Sequence, residues 1–114
     1  MSENAPEPTD WLTLPELAEA LGETPGRVRR LLDEHYLVGS RRDGAFAVPS
    51  LFLVDGRPLP SLRGTIIALQ DAGFDDDEVI DWLLAQEDSL GRSPIAALRD
   101  GHKSAVRSIA RTLA

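Results

Sequence analysis

Arg27, Arg29, Arg30, Arg41 and Arg42 fall together between residues 24 and 48, against three acids in the same window, Asp33, Glu34 and Asp43. The whole chain of 114 residues carries a formal net charge of −7, so this basic window stands apart from an acidic background. A guanidinium offers a planar fork of donors that fits a phosphate, a carboxylate, or the O6 and N7 edge of guanine. The guanine pairing is worth ~1–3 kcal/mol of discrimination between bases. The plainer reading pairs each arginine with an acid one helical turn away, as the spacings Arg29–Asp33 and Arg30–Glu34 allow. That reading explains one exposed arginine well. It explains less well why all five gather in two neighbouring elements.

Other chemistry finds little support in the sequence. Cysteine is absent, which excludes thiolate nucleophiles, disulfides and cysteine-ligated zinc, and fits a reducing cytoplasm. The two histidines, His35 and His102, join no Ser–His–acid grouping that position can support, so no enzymatic activity is expected. The run Asp75-Asp76-Asp77-Glu78 opens a helical pattern, where acids complement the macrodipole, and it lacks the glycine-centred loop that calcium requires. Gly101-His102-Lys103-Ser104 lacks the upstream glycine and strand of a phosphate-binding loop. No cofactor or metal is expected. Lys103, Arg107 and Arg111 form an i,i+4 row that reads as a solvated helix face. No run of 18 apolar residues is present, so no membrane span is expected.

The elements that must position the arginines are punctuated clearly. Residues 1–10 are acidic, carry two prolines and read as a disordered tail rather than a signal peptide. Thr13-Leu-Pro-Glu16 is a capping box, with Leu14, Leu17, Ala18 and Leu21 at helical spacing behind it and Gly22 as the stop. Thr24-Pro25 starts a second helix, whose inner stripe is Val28, Leu31, Leu32 and His35 or Tyr36. On that wheel Arg30 points away from the core, Arg27 lies about 60° from it, and Arg29 lies on the other flank. A short helix, a tight turn and a second capped helix make a helix-turn-helix. Residues 37–42 then read as a strand, Asp43-Gly44 as a hairpin turn and residues 45–48 as the returning strand, giving a two-stranded wing. Residues 49–60 read as a turn or short helix around Ser50–Leu53 followed by a connector. Four helices follow, over about 61–72, 75–86, from Ser93-Pro94, and from about His102. The fold class is mainly α with a small β-hairpin wing. The expected division is a winged helix-turn-helix over 11–58 and a helical subdomain over 59–114, packed together.

The run from Leu12 to Phe52, with its LPELAEALG first helix, TPGRVRRLLD second helix, arginine-rich wing and closing VPSLF, resembles the MerR- and excisionase-like winged helix-turn-helix domains. Such domains often close the second helix with Gly-Leu, where this chain has His35-Tyr36-Leu37. Residues 11–114 together resemble a family of small actinobacterial winged-helix DNA-binding proteins, most specifically in LFLVDGRPLPSLRGTIIALQDAGFDDDEVIDWLLAQEDSLGRSP. The C-terminal helices are similar, more weakly, to the toxin-binding domain of Xre/MbcA/ParS-type antitoxins. The resemblance implies binding of double-stranded DNA and transcriptional regulation in the cytoplasm, at the nucleoid, with no membrane association. It also implies a protein contact or homodimer through the C-terminal helices. The expected DNA contacts are Arg27 and Arg30 at base edges, Arg29 beside them, Thr24 at a phosphate, and Arg41 and Arg42 from the wing. Thr9 is a candidate phosphorylation site, where added negative charge would oppose DNA. The alternative from another class is a protein-interaction module, antitoxin-like or adaptor, with weak or no DNA binding, which the acidic bulk favours.

Overall fold

The computed structural model describes residues 10–113. Thr9 and the rest of the expected tail up to it lie outside the described residues. The elements run β1 (Trp11–Thr13), α1 (Leu14–Leu21), α2 (Pro25–Asp33), β2 (Ser40–Arg42), β3 (Ala45–Pro49), a 3-10 turn (Ser50–Phe52), β4 (Leu53–Val54), β5 (Arg57–Pro58), α3 (Leu62–Asp71), α4 (Asp76–Leu84), α5 (Pro94–Arg99) and α6 (Lys103–Thr112). The fold is mainly helical, a winged helix-turn-helix followed by a helical C-terminal region.

Four of the helix starts, those of α1, α2, α4 and α5, have a local cause. Thr13 ends β1 and caps α1: its hydroxyl accepts from the Glu16 N–H, and Glu16 Oε1 accepts from the Thr13 N–H at 2.9 Å. Asp75 and Glu78 form the same reciprocal pair at α4, at 2.9 and 3.1 Å. Thr24 and Ser93 each cap a helix whose first residue is proline, which has no N–H to leave unsatisfied.

The wing is larger than a two-stranded hairpin. Its sheet has the antiparallel order β1-β3-β2, with Trp11 opposite Pro49 and Thr13 opposite Ala47 on one side, and Ser40 opposite Ala47 on the other. The Ser50 N–H donates to the Asp10 carbonyl at 2.7 Å, so Asp10, expected in the tail, is tied to the end of β3. The strand expected over 37–42 is confined to Ser40–Arg42. Leu37 and Val38 are both buried but precede the ladder, whose pairing with β3 starts at Ser40 opposite Ala47. Gly39 then passes so close to β3 that a Cβ would fall 2.6 Å from the Phe46 ring and 2.7 Å from the Ala47 carbonyl.

Residues expected as a connector form a second hairpin. Asp55 and Gly56 have φ of 51° and 72°, matching Asp43 and Gly44 at 52° and 82°. Both are Asp-Gly turns with two left-handed residues, the geometry that joins twisted strands over two residues. In the second, Val54 pairs with Arg57. At the end of α2, His35 takes φ 66°, the left-handed conformation that glycine adopts most readily. The chain is turned out of the helix there, so Tyr36 is 40% exposed and not part of the inner stripe.

One core joins both halves. Leu17, Val28, Leu37, Val48 and Phe52 cluster with Leu62, Ile66, Leu69, Val79, Ile80, Leu83, Ile95, Leu98 and Val106. Phe52, in the 3-10 turn between the halves, is completely buried. Arg99 at the end of α5 clamps that turn, with Nη1 donating to the Leu51 and Leu53 carbonyls at 2.9 and 2.5 Å. Arg107, expected on a solvated face, is instead half-buried, with its guanidinium against Gly64 of α3; Lys103 and Arg111 are exposed.

Two outcomes follow. Phe52→Ala should lower stability by about 3–5 kcal/mol, as for other buried Phe truncations. Chemical denaturation should still show one transition for both halves, and two separated transitions would contradict the shared core. Hydrogen bonds from the Thr13 backbone and hydroxyl hold the Glu16 carboxyl below its usual value. Its stabilisation is therefore complete above the ordinary carboxylate range and lost as pH falls through the depressed folded value. Thermal melts of Glu16→Gln against pH should show a flatter acid limb than the parent protein; superimposable limbs would reject this.

Candidate nucleic-acid interface

The α1–turn–α2 unit presents α2 with Val28 inward and Arg27, Arg29 and Arg30 all exposed. The local pairs that the sequence allows, Arg29–Asp33 and Arg30–Glu34, are not formed, and a different one is. Arg27 Nε lies 3.6 Å from Glu23 Oε2, with both side chains about half exposed (52% and 42%). Such a pair contributes little against water. Arg29 with Asp33 and Arg30 with Glu34 form no ion pair within 4 Å, and Arg41 has none among the described residues. Arg30, opposite Val28 on the wheel, therefore stands unengaged on the outer crest of α2. Thr24 Oγ1 accepts from the Arg27 N–H at 3.2 Å, which leaves its hydroxyl proton directed elsewhere and able to meet an acceptor such as a phosphate oxygen.

The two wing arginines are not equivalent. Arg41 is exposed and lines a groove with Gly39, Phe46, Asp75, Asp76 and Asp77. Arg42 lies over the Trp11 ring, 4.5 Å from its centroid. It also donates to Ser40 Oγ at 3.2 Å and meets Asp81 of α4 at 3.5 Å. The structure thus uses Arg42 to bind β1, β2 and α4 to one another, while Arg41 has no ion pair among the described residues.

Two further arginines near α2 carry no helix-turn-helix signal. Arg63 of α3 donates from Nε to the Glu34 carbonyl at 2.8 Å and lies 5.1 Å from the Tyr36 ring. A cation there satisfies a terminal carbonyl and complements the negative end of the α2 dipole. Arg57 of the second hairpin lines a groove with Arg27, Leu31 and Tyr36. Asp55-Gly56 was the sequence signal for its hairpin, of the same kind as Asp43-Gly44. Nothing in the sequence placed that hairpin beside α2.

If Arg42 works as a strut, Arg42→Ala should lower thermal stability, and Asp81→Asn should do so less, because the Trp11 contact survives. An unchanged melting temperature for Arg42→Ala would show that the contacts around it contribute nothing.

Residues 2–53 match the family described as DNA-binding protein Rv2175c, wHTH domain, and residues 59–114 match the family described as Rv2175c C-terminal domain of unknown function. The curated DNA-binding protein Rv2175c of Mycobacterium tuberculosis (strain ATCC 25618 / H37Rv) is 37% identical over 94 residues, which is 82% of this chain. The matched segment spans 61% of that relative's length. The NMR structure of Rv2175c superposes with a TM-score of 0.86 at 28% identity, covering 99% of this chain and 86% of that one. With both domains present in the same order and the same fold, the chain belongs to the Rv2175c family, as a winged helix-turn-helix domain joined to that family's C-terminal domain.

Proposed function

We propose that this protein binds double-stranded DNA through α2 and acts as a transcriptional regulator. The observation that carries the reading is Arg30: it is exposed on the outer crest of α2, free of any ion pair among the described residues, with Arg27 and the Thr24-capped helix start beside it. In a helix-turn-helix the first turns of the second helix enter the major groove, where an arginine fork reads guanine. The relative whose name states DNA binding supports the same reading. Arg29 and Arg41 flank this crest, and Arg42 acts by fixing the wing. No helix among the described residues is long and apolar enough to cross a membrane.

A short helix with few cations holds DNA weakly when alone. A homodimer through the C-terminal helices would place two such helices on successive half-sites. Resemblance to MerR-like or antitoxin domains enters only as a source for that dimer or for a protein partner.

Arg30→Ala should cost about 1–3 kcal/mol of affinity for a preferred duplex and flatten discrimination between sequences. Binding of the unaltered protein should weaken steeply with salt. Electrophoretic or fluorescence titrations check both. Unchanged affinity of a folded Arg27→Ala/Arg30→Ala variant would overturn the assignment of α2 as the DNA-reading element.

A further inference from the structure

We propose that the DNA backbone beside α2 is held on the flank of the β4–β5 hairpin, with Arg57 as its phosphate contact, and is repelled on the wing flank by the acids that open α4. The inference rests on the DNA-binding reading above and names a contact which that reading lacks.

Helix α2 stands between two grooves. One has Arg27 and Leu31 on its α2 wall and Gly56, Arg57 and Pro58 on the other. The second starts at Arg29, with Phe46 and Asp76 opposite, and a neighbouring groove continues past Arg41 to Asp75 and Asp77. Their charges differ. The hairpin side sets Arg27 and Arg57 against Glu23 and Glu34, and Glu23 is already engaged with Arg27 at 3.6 Å. Arg63 adds a third cation at that side, reaching the Glu34 carbonyl at 2.8 Å. The wing side sets Arg29 and Arg41 against Asp33, Asp75, Asp76 and Asp77. The other wing arginine, Arg42, is tied to Trp11 and Asp81. A phosphate strand laid along the wing side meets more negative than positive charge. One laid along the hairpin side does not.

Arg57 is suited to that strand. It is exposed and makes no ion pair within 4 Å among the described residues. It leaves a tight Asp-Gly turn whose position is fixed. A Cβ on Gly56 would come within 3.3 Å of the Ala20 carbonyl of α1, and the Leu59 N–H donates to the Phe52 carbonyl at 2.9 Å. A cation on a seated hairpin beside a recognition helix positions the helix without reading sequence. The same role is ordinarily looked for in the wing.

The test is duplex titration over a salt series with full-length protein and its Arg57→Ala, Arg57→Lys, Arg41→Ala and Asp76→Asn/Asp77→Asn variants. Asp71→Asn/Asp88→Asn serves as a control with the same change of net charge, since both residues are exposed and line neither groove. The substitutions leave the Asp75–Glu78 cap in place, and melts confirm folding. Arg57→Ala should weaken binding to all duplexes alike and reduce the salt slope by about 1, as expected for one lost phosphate contact. Arg57→Lys should keep the slope, and Arg41→Ala should change it less. Asp76→Asn/Asp77→Asn should strengthen binding several-fold at low salt, beyond the control pair. If the parent protein binds duplex but Arg57→Ala changes neither affinity nor slope, or Arg41→Ala changes them more, the inference is overturned and the DNA reading stands. If neither the parent protein nor any variant binds duplex, both fall.

Discussion

The two halves of this chain share one hydrophobic core. Some fifty residues fold into two short helices and a three-stranded sheet, and the other half is four helices of six to ten residues. Units of this size bury a smaller fraction of their apolar surface than larger domains do, so a common core adds to the stability of both. The seam of that core is the 3-10 turn in which Phe52 is completely buried. The position of α2 follows from that seam. Leu17 and Val28 anchor the helix-turn-helix to it from one side, and Leu62, Ile66 and Leu69 close it from the other. The C-terminal helices thus contribute side chains to the core on which α2 sits.

Polar ties reinforce this arrangement at the points where a slip would move the interface. Arg99 holds the carbonyls on both sides of Phe52. Arg63 holds the end of α2, just where His35 turns the chain in a left-handed conformation that costs a non-glycine residue about 1–2 kcal/mol. Arg42 joins β1, β2 and α4. Three arginines therefore act as struts, each reaching across elements distant in sequence. Among the described residues Arg29, Arg30, Arg41 and Arg57 form no ion pair and stand around the exposed face of α2 and its two flanking hairpins; Arg111 on α6 forms none either but lies on another element. In an acidic protein the surface available to a polyanion is decided by which cations the fold leaves unengaged, more than by the net charge.

The sequence by itself determined the features whose causes are local. Capping boxes at Thr13 and Asp75, proline starts at Pro25 and Pro94, and the Asp43-Gly44 turn each depend on hydrogen bonds or φ preferences within four residues. Helical periodicity likewise put Val28 inward and Arg30 outward before any coordinates. Tertiary structure alone decided the rest. Trp11–Thr13 is too short to show a strand period and becomes β1 only because β3 offers an open edge. Leu37 and Val38 are buried outside the strand, because pairing with β3 reaches back only to Ser40. Arg42 and Arg41 are neighbours of identical type, yet one is a strut and the other free, since the positions of Trp11 and Asp81 separate them. Arg57 stands beside α2 because its hairpin packs against the end of α1. Contacts across thirty or more residues leave no periodic trace in a single sequence, which is why the basic window of residues 24–48 is legible there while the division of its arginines, and the place of Arg57 beside them, is not.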